Sequence, residues 1–207
     1  MKLSKVFSTL IIIISFSTVL AQNLVKEDYK FIKTKFRNAG IGLFNSSIGS
    51  HYDKHNDIFK IESGNIMVGE SNVQFFYYLN KKDSVITRSP IYLKVNFRAN
   101  NWIFLESISF ALAFTKKGDD QLTQRASVNL PTYSRDVNAN ATVSESSSAK
   151  ISNELLQMIN QTIEKPRSIS VRFNGDTKYT ESLVFGRMIK KKSKNFFLST
   201  TLFEEVD

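Results

Sequence analysis

The 207-residue chain has no cysteine, and this absence removes several kinds of chemistry at once. It excludes disulfide bonds, thiolate metal ligands, a cysteine nucleophile and a lipid-bearing N-terminal cysteine. Only two histidines are present, and the chain has no G-x-S-x-G sequence and no glycine-rich phosphate or dinucleotide loop. The residues needed for a Ser-His-Asp or Cys-His catalytic arrangement are therefore scarce or absent, and no cofactor is expected.

The long apolar run of this sequence lies at the N-terminus, and no second run of that length follows residue 21. Lys2 and Lys5 precede an apolar stretch centred on 10–14, and the stretch ends with a small residue at Ala21. This layout is typical of a secretory signal peptide, and its apolar part is shorter than the about 20 residues of a membrane span. We predict a signal peptide over 1–21 and one exported, periplasmic or extracellular domain over 22–207; the alternative is a retained N-terminal anchor.

Acidic residues are outnumbered by basic ones. The 28 lysines and arginines against 19 aspartates and glutamates give a formal net charge of +9, which becomes +7 without Lys2 and Lys5. A basic exported protein is attracted to anionic surfaces such as phospholipid head groups or acidic polysaccharide. The expected partner is thus a protein or an anionic envelope component. Nucleic acid is not expected outside the cell, and no transmembrane span is expected after cleavage.

Alternation of apolar and polar residues dominates from residue 72 onward and predicts β-strands. The predicted strands cover 73–79, 91–97, 102–114, 122–130, 136–143, 169–173 and 178–185. Residues 102–114 are apolar on both faces, which is typical of a central strand that is covered twice. Two hairpins are expected, one through the loop 116–120 and one with Asn174-Gly175 as its turn.

A helix is predicted at the start of the mature chain. Apolar residues recur there at spacings of four, three and four, at Val25, Tyr29, Ile32 and Phe36. Gly40 is a suitable stop for this helix. The segment 40–71 is rich in glycine, asparagine and serine, and is expected to form loops with one or two short strands.

A second, amphipathic helix is predicted near 148–163. Its apolar stripe consists of Ile151, Leu155, Leu156, Ile159 and Ile163. Ser146 to Ser148 are the N-cap candidates, and Pro166 marks a point that the helix cannot pass. For the segment 187–203 we favour a third helix with Met188, Ile189, Lys192 and Phe196 on one side, but 196–203 suits a strand equally well. Because the mid-chain helix does not alternate with strands, the predicted fold is α+β and β-dominated, an antiparallel sheet or sandwich with helices on one side.

Several short motifs follow one another between residues 100 and 190. Trp102-x-Phe104 precedes Arg135-x-Val137, then Glu145, the helix, and finally Arg172-x-x-Gly175-x-x-x-Tyr179. In this order they resemble a loosely defined class of small exported bacterial β-rich domains. The resemblance implies a β-rich fold and no particular activity.

Two histidines form the one cluster with metal-ligand chemistry. His51 and His55 are four residues apart, with Asp53 and Asp57 between and after them, so on a helix the two imidazoles would share a face. The segment lacks apolar periodicity, and no glutamate follows His51 as in the metalloprotease motif. The site is therefore either a Zn²⁺ site that needs a distant third ligand or, as we favour, an exposed polar loop.

Three further groups of residues are candidates for binding. Arg172 is expected to form an ion pair with Glu145 or Asp136, in a structural or a ligand-anchoring role, since a guanidinium binds carboxylates well. Phe76 and Tyr78 project from the face of their strand that the core does not use, and are either covered by a helix or form an exposed binding patch. A run of lysines in the tail is either a solvated face or a membrane or polyanion contact, and consists of Lys190, Lys191, Lys192 and Lys194.

The sequence favours an exported, non-enzymatic domain that binds a ligand or protein in the bacterial envelope or outside the cell. One alternative is a hydrolase of an envelope polymer that uses paired carboxylates or a His51/His55 metal site. The other is a structural accessory subunit of an envelope assembly. The sequence alone does not choose a ligand or an oligomeric state.

Overall fold

The computed structural model describes residues 26–42, 47–53, 58–82, 84–112, 124–131, 133–137, 142–176 and 178–206. The predicted signal peptide, His55 and the loop 116–120 lie outside these residues. The helices are α1 (Lys26–Asn38), α2 (Asn153–Glu164) and α3 (Gly186–Thr200). The strands are β1 (Ile48–Asp53), β2 (Ile58–Ser63), β3 (Ile66–Val68), β4 (Ser71–Lys82), β5 (Val85–Arg88), β6 (Tyr92–Ala99), β7 (Leu105–Leu112), β8 (Gln124–Asn129), β9 (Tyr133–Val137), β10 (Val143–Lys150), β11 (Ile169–Gly175) and β12 (Tyr179–Val184).

The strands form two antiparallel sheets. The larger has the order β1-β2-β4-β6-β10-β9, with β3 and β5 also paired to β4, and the smaller has the order β12-β11-β7-β8. Phe97 of the larger sheet and Phe173 of the smaller sheet have ring centroids 5.5 Å apart, within one continuous apolar core. The predicted α+β, β-dominated fold with helices near both ends of the described chain is confirmed.

Helices α1 and α3 pack on the core face of the larger sheet, whereas α2 packs against α3 and β8. Tyr29 of α1 meets Phe59 of β2 edge to face at 5.3 Å, and Phe196 and Phe197 of α3 lie 6.3 and 5.1 Å from the ring of Phe75 in β4. The Tyr77 hydroxyl next to Phe75 shares a buried hydrogen bond of 2.8 Å with Ser199, and burial holds the pKa of this phenol well above its usual range. The contacts of α1 and α3 therefore leave the opposite face of the larger sheet uncovered by these two helices.

The helix near 148–163 is confirmed, but its predicted N-cap serines are not at its start. Ser146, Ser147 and Ser148 belong to β10, where alternate side chains face opposite sides of the sheet. The helix begins after Ser152, whose hydroxyl accepts the N–H of Leu155 at 3.3 Å. The helix starts later than predicted because β10 remains paired with β6 as far as Lys150.

Two expectations for the smaller sheet need correction. Strand β7 is central, but only its Ile108 and Phe110 side is buried; the other side carries Ser107 and Ser109 and is partly exposed. The β11–β12 hairpin exists, yet Asn174 is paired with Tyr179 inside the ladder, and the turn follows it. Gly175 instead lies against the backbone of Ile103.

The described C-terminal residues pack against α1 and β5. Lys35 of α1 donates to the carbonyl of Leu202 at 3.1 Å, and the rings of Phe36 and Phe203 are 6.1 Å apart. The N–H of Arg88 donates to Glu204 at 2.8 Å, so the segment also lies along β5. None of the described helices has both the length and the apolarity to span a membrane.

Candidate functional site

A shallow groove of about 410 Å³ runs over the outer face of the larger sheet. Phe76 and Tyr78 on β4 line the groove, and Tyr92 on β6 lies beside them against Phe76. Phe76 and Tyr92 stack at 5.4 Å with an interplanar angle of 19°, and Tyr78 meets Phe76 edge to face at 5.4 Å. Phe76 is only 5 % exposed, while both tyrosines remain partly exposed, so the tyrosines offer their rings to solvent. We call this feature the aromatic groove.

Two lysines border the aromatic groove in different states. The ammonium group of Lys60 lies 4.3 Å from the centre of the Phe76 ring and forms an ion pair with Glu62. Lys94 projects beside the groove and has no ion pair with any residue that the structure describes. Lys94 is therefore the cation that is available to an incoming negative group.

Hydroxyl groups line the far side of the aromatic groove. Ser148 lies directly across from Lys94, Ser146 is paired with Asn96, and Ser134 is paired with Ser146 on the next strand. The hydroxyls of Ser134 and Ser146 are 2.6 Å apart. Rings, an ammonium group and hydroxyls are thus presented side by side, and the residues that line the groove include no carboxyl or imidazole group.

None of the described helices lines the groove; α3 packs against Phe75 and Tyr77 on the other face of the sheet. A binding role for Phe76 and Tyr78 stays a prediction. Sequence reasoning missed Lys60, Lys94 and the serines as members of this site. The alternation in 91–97, which puts Tyr92 and Lys94 on the face opposite the core, was the signal that pointed to Lys94.

Glu145 lies inside the protein. Its side chain is fully buried, and its carboxyl oxygens accept three consecutive backbone N–H groups, from Ile103, Phe104 and Leu105, at 2.9, 3.1 and 2.8 Å. Successive N–H groups that converge in this way form a nest for a negative group. We call the segment from Trp102 to Leu105 the 102–105 junction. Phe104, with φ at +57°, provides the backbone reversal that aims the N–H groups inward.

Three of the residues behind the resemblance, Arg135, Glu145 and Gly175, meet at the 102–105 junction. Arg135 lies 3.9 Å from the carboxyl group of Glu145, and its guanidinium lies over the Phe104 ring at 4.5 Å. A Cβ atom at Gly175 would be 1.8 Å from the carbonyl oxygen of Ile103, so the two chains approach too closely for any side chain. These motif residues thus serve the folded structure.

Arg172 pairs with Glu181, and the predicted pairing with Glu145 or Asp136 is wrong. Two guanidinium nitrogens of Arg172 donate to one oxygen of Glu181, at 3.0 and 2.6 Å, and the guanidinium lies 4.4 Å from the centre of the Tyr179 ring. The partners are neighbours across the β11–β12 hairpin, and all are exposed. Arg172 is accessible at the surface, but it is already engaged.

The Arg172–Glu181 pair gives a pH-dependent prediction. Hydrogen bonds from Ser170 and from Arg172 hold the pKa of Glu181 below its usual value. A lowered carboxyl pKa stabilises the fold above the unfolded-state value, and this stabilisation is lost as the pH falls through the folded-state value. We expect Ser170→Ala and Arg172→Ala each to raise the pKa of Glu181, as measured by carbon NMR titration of its carboxyl group. Thr180→Ala, on the other face of β12, should leave it unchanged; equal titration in all variants would contradict the assignment.

The histidine site is not assembled in the described residues. His51 is exposed on β1, a strand and not a helix, and is paired with Lys60. His55 is outside the described residues. Among the described residues, no three histidine, aspartate, glutamate or cysteine side chains come together in a group able to hold a metal ion.

The tail lysines lie on α3, where the favoured helix is observed. Lys191 and Lys194 are exposed, whereas Lys190 and Lys192 are half-buried on the flanks of the helix. Arg187, which was not among the predicted residues, is exposed one turn before Lys191. Searches of protein-family models, curated proteins and solved structures return no match to this chain, so the arguments about its function rest on the chemistry of these surfaces.

Proposed function

We propose that this chain is an exported, non-enzymatic binding domain whose aromatic groove holds an acidic saccharide chain. The observation that carries the proposal is the cluster of the partly exposed Tyr78 and Tyr92 around Phe76, beside the ammonium group of Lys94, which pairs with no carboxylate among the described residues. Aromatic rings left partly exposed on a sheet are favourable contact surfaces, because they supply large contact area at little conformational cost.

The combination of groups favours a sugar acid over other ligands. A pyranose ring has an apolar C–H face that can lie flat on Tyr78 or Tyr92, hydroxyls that match Ser146 and Ser148, and, in a uronic acid, a carboxylate for Lys94. The groove is shallow and open rather than enclosed, which suits a chain that continues beyond it. Its lining residues have no carboxyl pair of the kind that glycoside hydrolysis uses, which supports binding over cleavage.

The test uses polygalacturonate as the acidic probe and dextran as the neutral one. We expect wild-type protein to bind polygalacturonate in calorimetry, and Tyr78→Ala and Lys94→Gln each to weaken binding by about tenfold, near 1.4 kcal/mol. The loss at Tyr78 removes ring contact, and the loss at Lys94 removes the charge partner.

Matched controls separate the groove from general stickiness. Tyr179→Ala removes an exposed tyrosine from the smaller sheet, and Lys165→Gln removes an exposed lysine after α2. Both should bind as wild type does. Equal losses in the groove and control variants, or no binding of any polyuronate, would contradict the proposal.

A further inference from the structure

The outer side of α3 carries basic residues in a line. Three of them, Arg187, Lys191 and Lys194, follow at spacings of four and three. Leu198 comes four residues later on the same side, so the four side chains form one stripe about 16 Å long. The buried residues of the helix, among them Ile189 and Phe196, lie on the opposite side. We call this stripe the basic ridge.

The basic ridge has no acidic neighbour within its helix. The 15 residues of α3 include five lysines and arginines and no aspartate or glutamate. None of these five side chains forms an ion pair with another described residue. The helix thus presents positive charge that no ion pair with the described residues compensates.

Apolar side chains stand at both ends of the basic ridge. Phe185, immediately before the first turn, is 66 % exposed, and Leu198, at the last turn, is 43 % exposed. A soluble polyanion would interact with the charges alone and gain little from these side chains. A lipid bilayer meets both, since aromatic and leucine side chains enter the head-group region while basic side chains contact the phosphates.

We propose that the basic ridge docks the domain onto an anionic phospholipid bilayer. The helix lies along the surface and does not enter it, because its other side is fixed to the core through Phe196 and Phe197. The aromatic groove lies on the other face of the sheet that α3 covers. A docked domain therefore presents its groove away from the bilayer.

The test measures sedimentation with vesicles of phosphatidylcholine containing about one third phosphatidylglycerol, with pure phosphatidylcholine vesicles as reference. We expect binding to the anionic vesicles alone. The triple variant Arg187→Gln, Lys191→Gln, Lys194→Gln should lower the partition coefficient by about a hundredfold, because each surface charge contributes about fivefold. The matched triple variant Lys30→Gln, Arg37→Gln, Lys165→Gln removes the same charge elsewhere and should lower binding far less.

A second pair of variants distinguishes a bilayer from a soluble polyanion. Phe185→Ser with Leu198→Ser should weaken vesicle binding severalfold and leave binding to heparin unchanged, whereas Phe31→Ser with Val85→Ser, also exposed apolar residues, should alter neither. Circular dichroism confirms that each variant is folded. Absence of vesicle binding, equal losses in both triple variants, or vesicle binding that is indifferent to Phe185 and Leu198 would overturn the proposal, the last result in favour of a polyanion site.

Discussion

Replacing Glu145 with alanine should destabilise the protein by roughly 4 kcal/mol or more, one of the largest losses that a single side chain can cause here. The substitution leaves the N–H groups of Ile103, Phe104 and Leu105 without their acceptor, at buried positions for Ile103 and Leu105 and at a partly buried one for Phe104. Each unsatisfied buried donor costs about 1–3 kcal/mol. Urea unfolding followed by circular dichroism gives the measurement, and a typical domain has only about 5–15 kcal/mol to lose.

A milder variant makes this prediction testable if the alanine protein does not fold. Glu145→Gln keeps one acceptor oxygen and places an amide NH₂ group against one N–H, so we expect a loss of about 2 kcal/mol. The matched control is Glu106→Gln, an exposed glutamate on β7, which should change stability by no more than about 0.5 kcal/mol. Similar unfolding midpoints for the Glu106 and Glu145 variants would show that the nest does not hold the 102–105 junction together.

Replacing Gly175 with alanine should cost about 3 kcal/mol, although it adds only one methyl group. The new Cβ would lie 1.8 Å from the carbonyl oxygen and 2.6 Å from the carbonyl carbon of Ile103, which are backbone atoms that cannot rotate away. For a domain of this size we expect the melting temperature to fall by roughly 10 °C in calorimetry.

Gly49→Ala is the control for this steric argument. Gly49 also lies in a strand, and a Cβ atom there would meet no heavy atom within 4 Å. Its melting temperature should stay close to that of wild type. Because Gly175 and Glu145 both contact the 102–105 junction, their losses should not add in the double variant Glu145→Gln with Gly175→Ala. Tolerance of alanine at Gly175 would mean that the junction can shift.

Local patterns predicted the elements that depend on nearby residues. The β7–β8 and β11–β12 hairpins, α1 and α2 all follow from alternation or helical spacing within one segment. The tail was ambiguous because Phe196 and Phe197 suit either a helix or a strand by themselves. Its helix is decided by tertiary contacts, since both rings pack on Phe75 more than a hundred residues earlier.

The candidate site was predicted only in part, because strand order is not written locally. Alternation placed Phe76 and Tyr78 away from the core. It did not place Ser146 beside them, since this requires β6 to pair with β10, a partner more than forty residues along the chain. The role of Glu145 was hidden for a similar reason: a glutamate in a serine-rich strand is expected at the surface, and its burial depends on N–H groups about forty residues away.

The contact between α1 and the C-terminal segment bears on the order of folding. Lys35 and Leu202 are 167 positions apart, so the packing of α1, which also contacts Phe59 of β2, is completed only when nearly the whole chain is present. Contacts of such long range form slowly, because the loop between them must close first. A chain that crosses a membrane as an extended thread has to avoid folding prematurely. If the chain is exported, as proposed above, this architecture would suit the passage, since the packing of α1 is completed only when the described C-terminal segment is on the same side of the membrane.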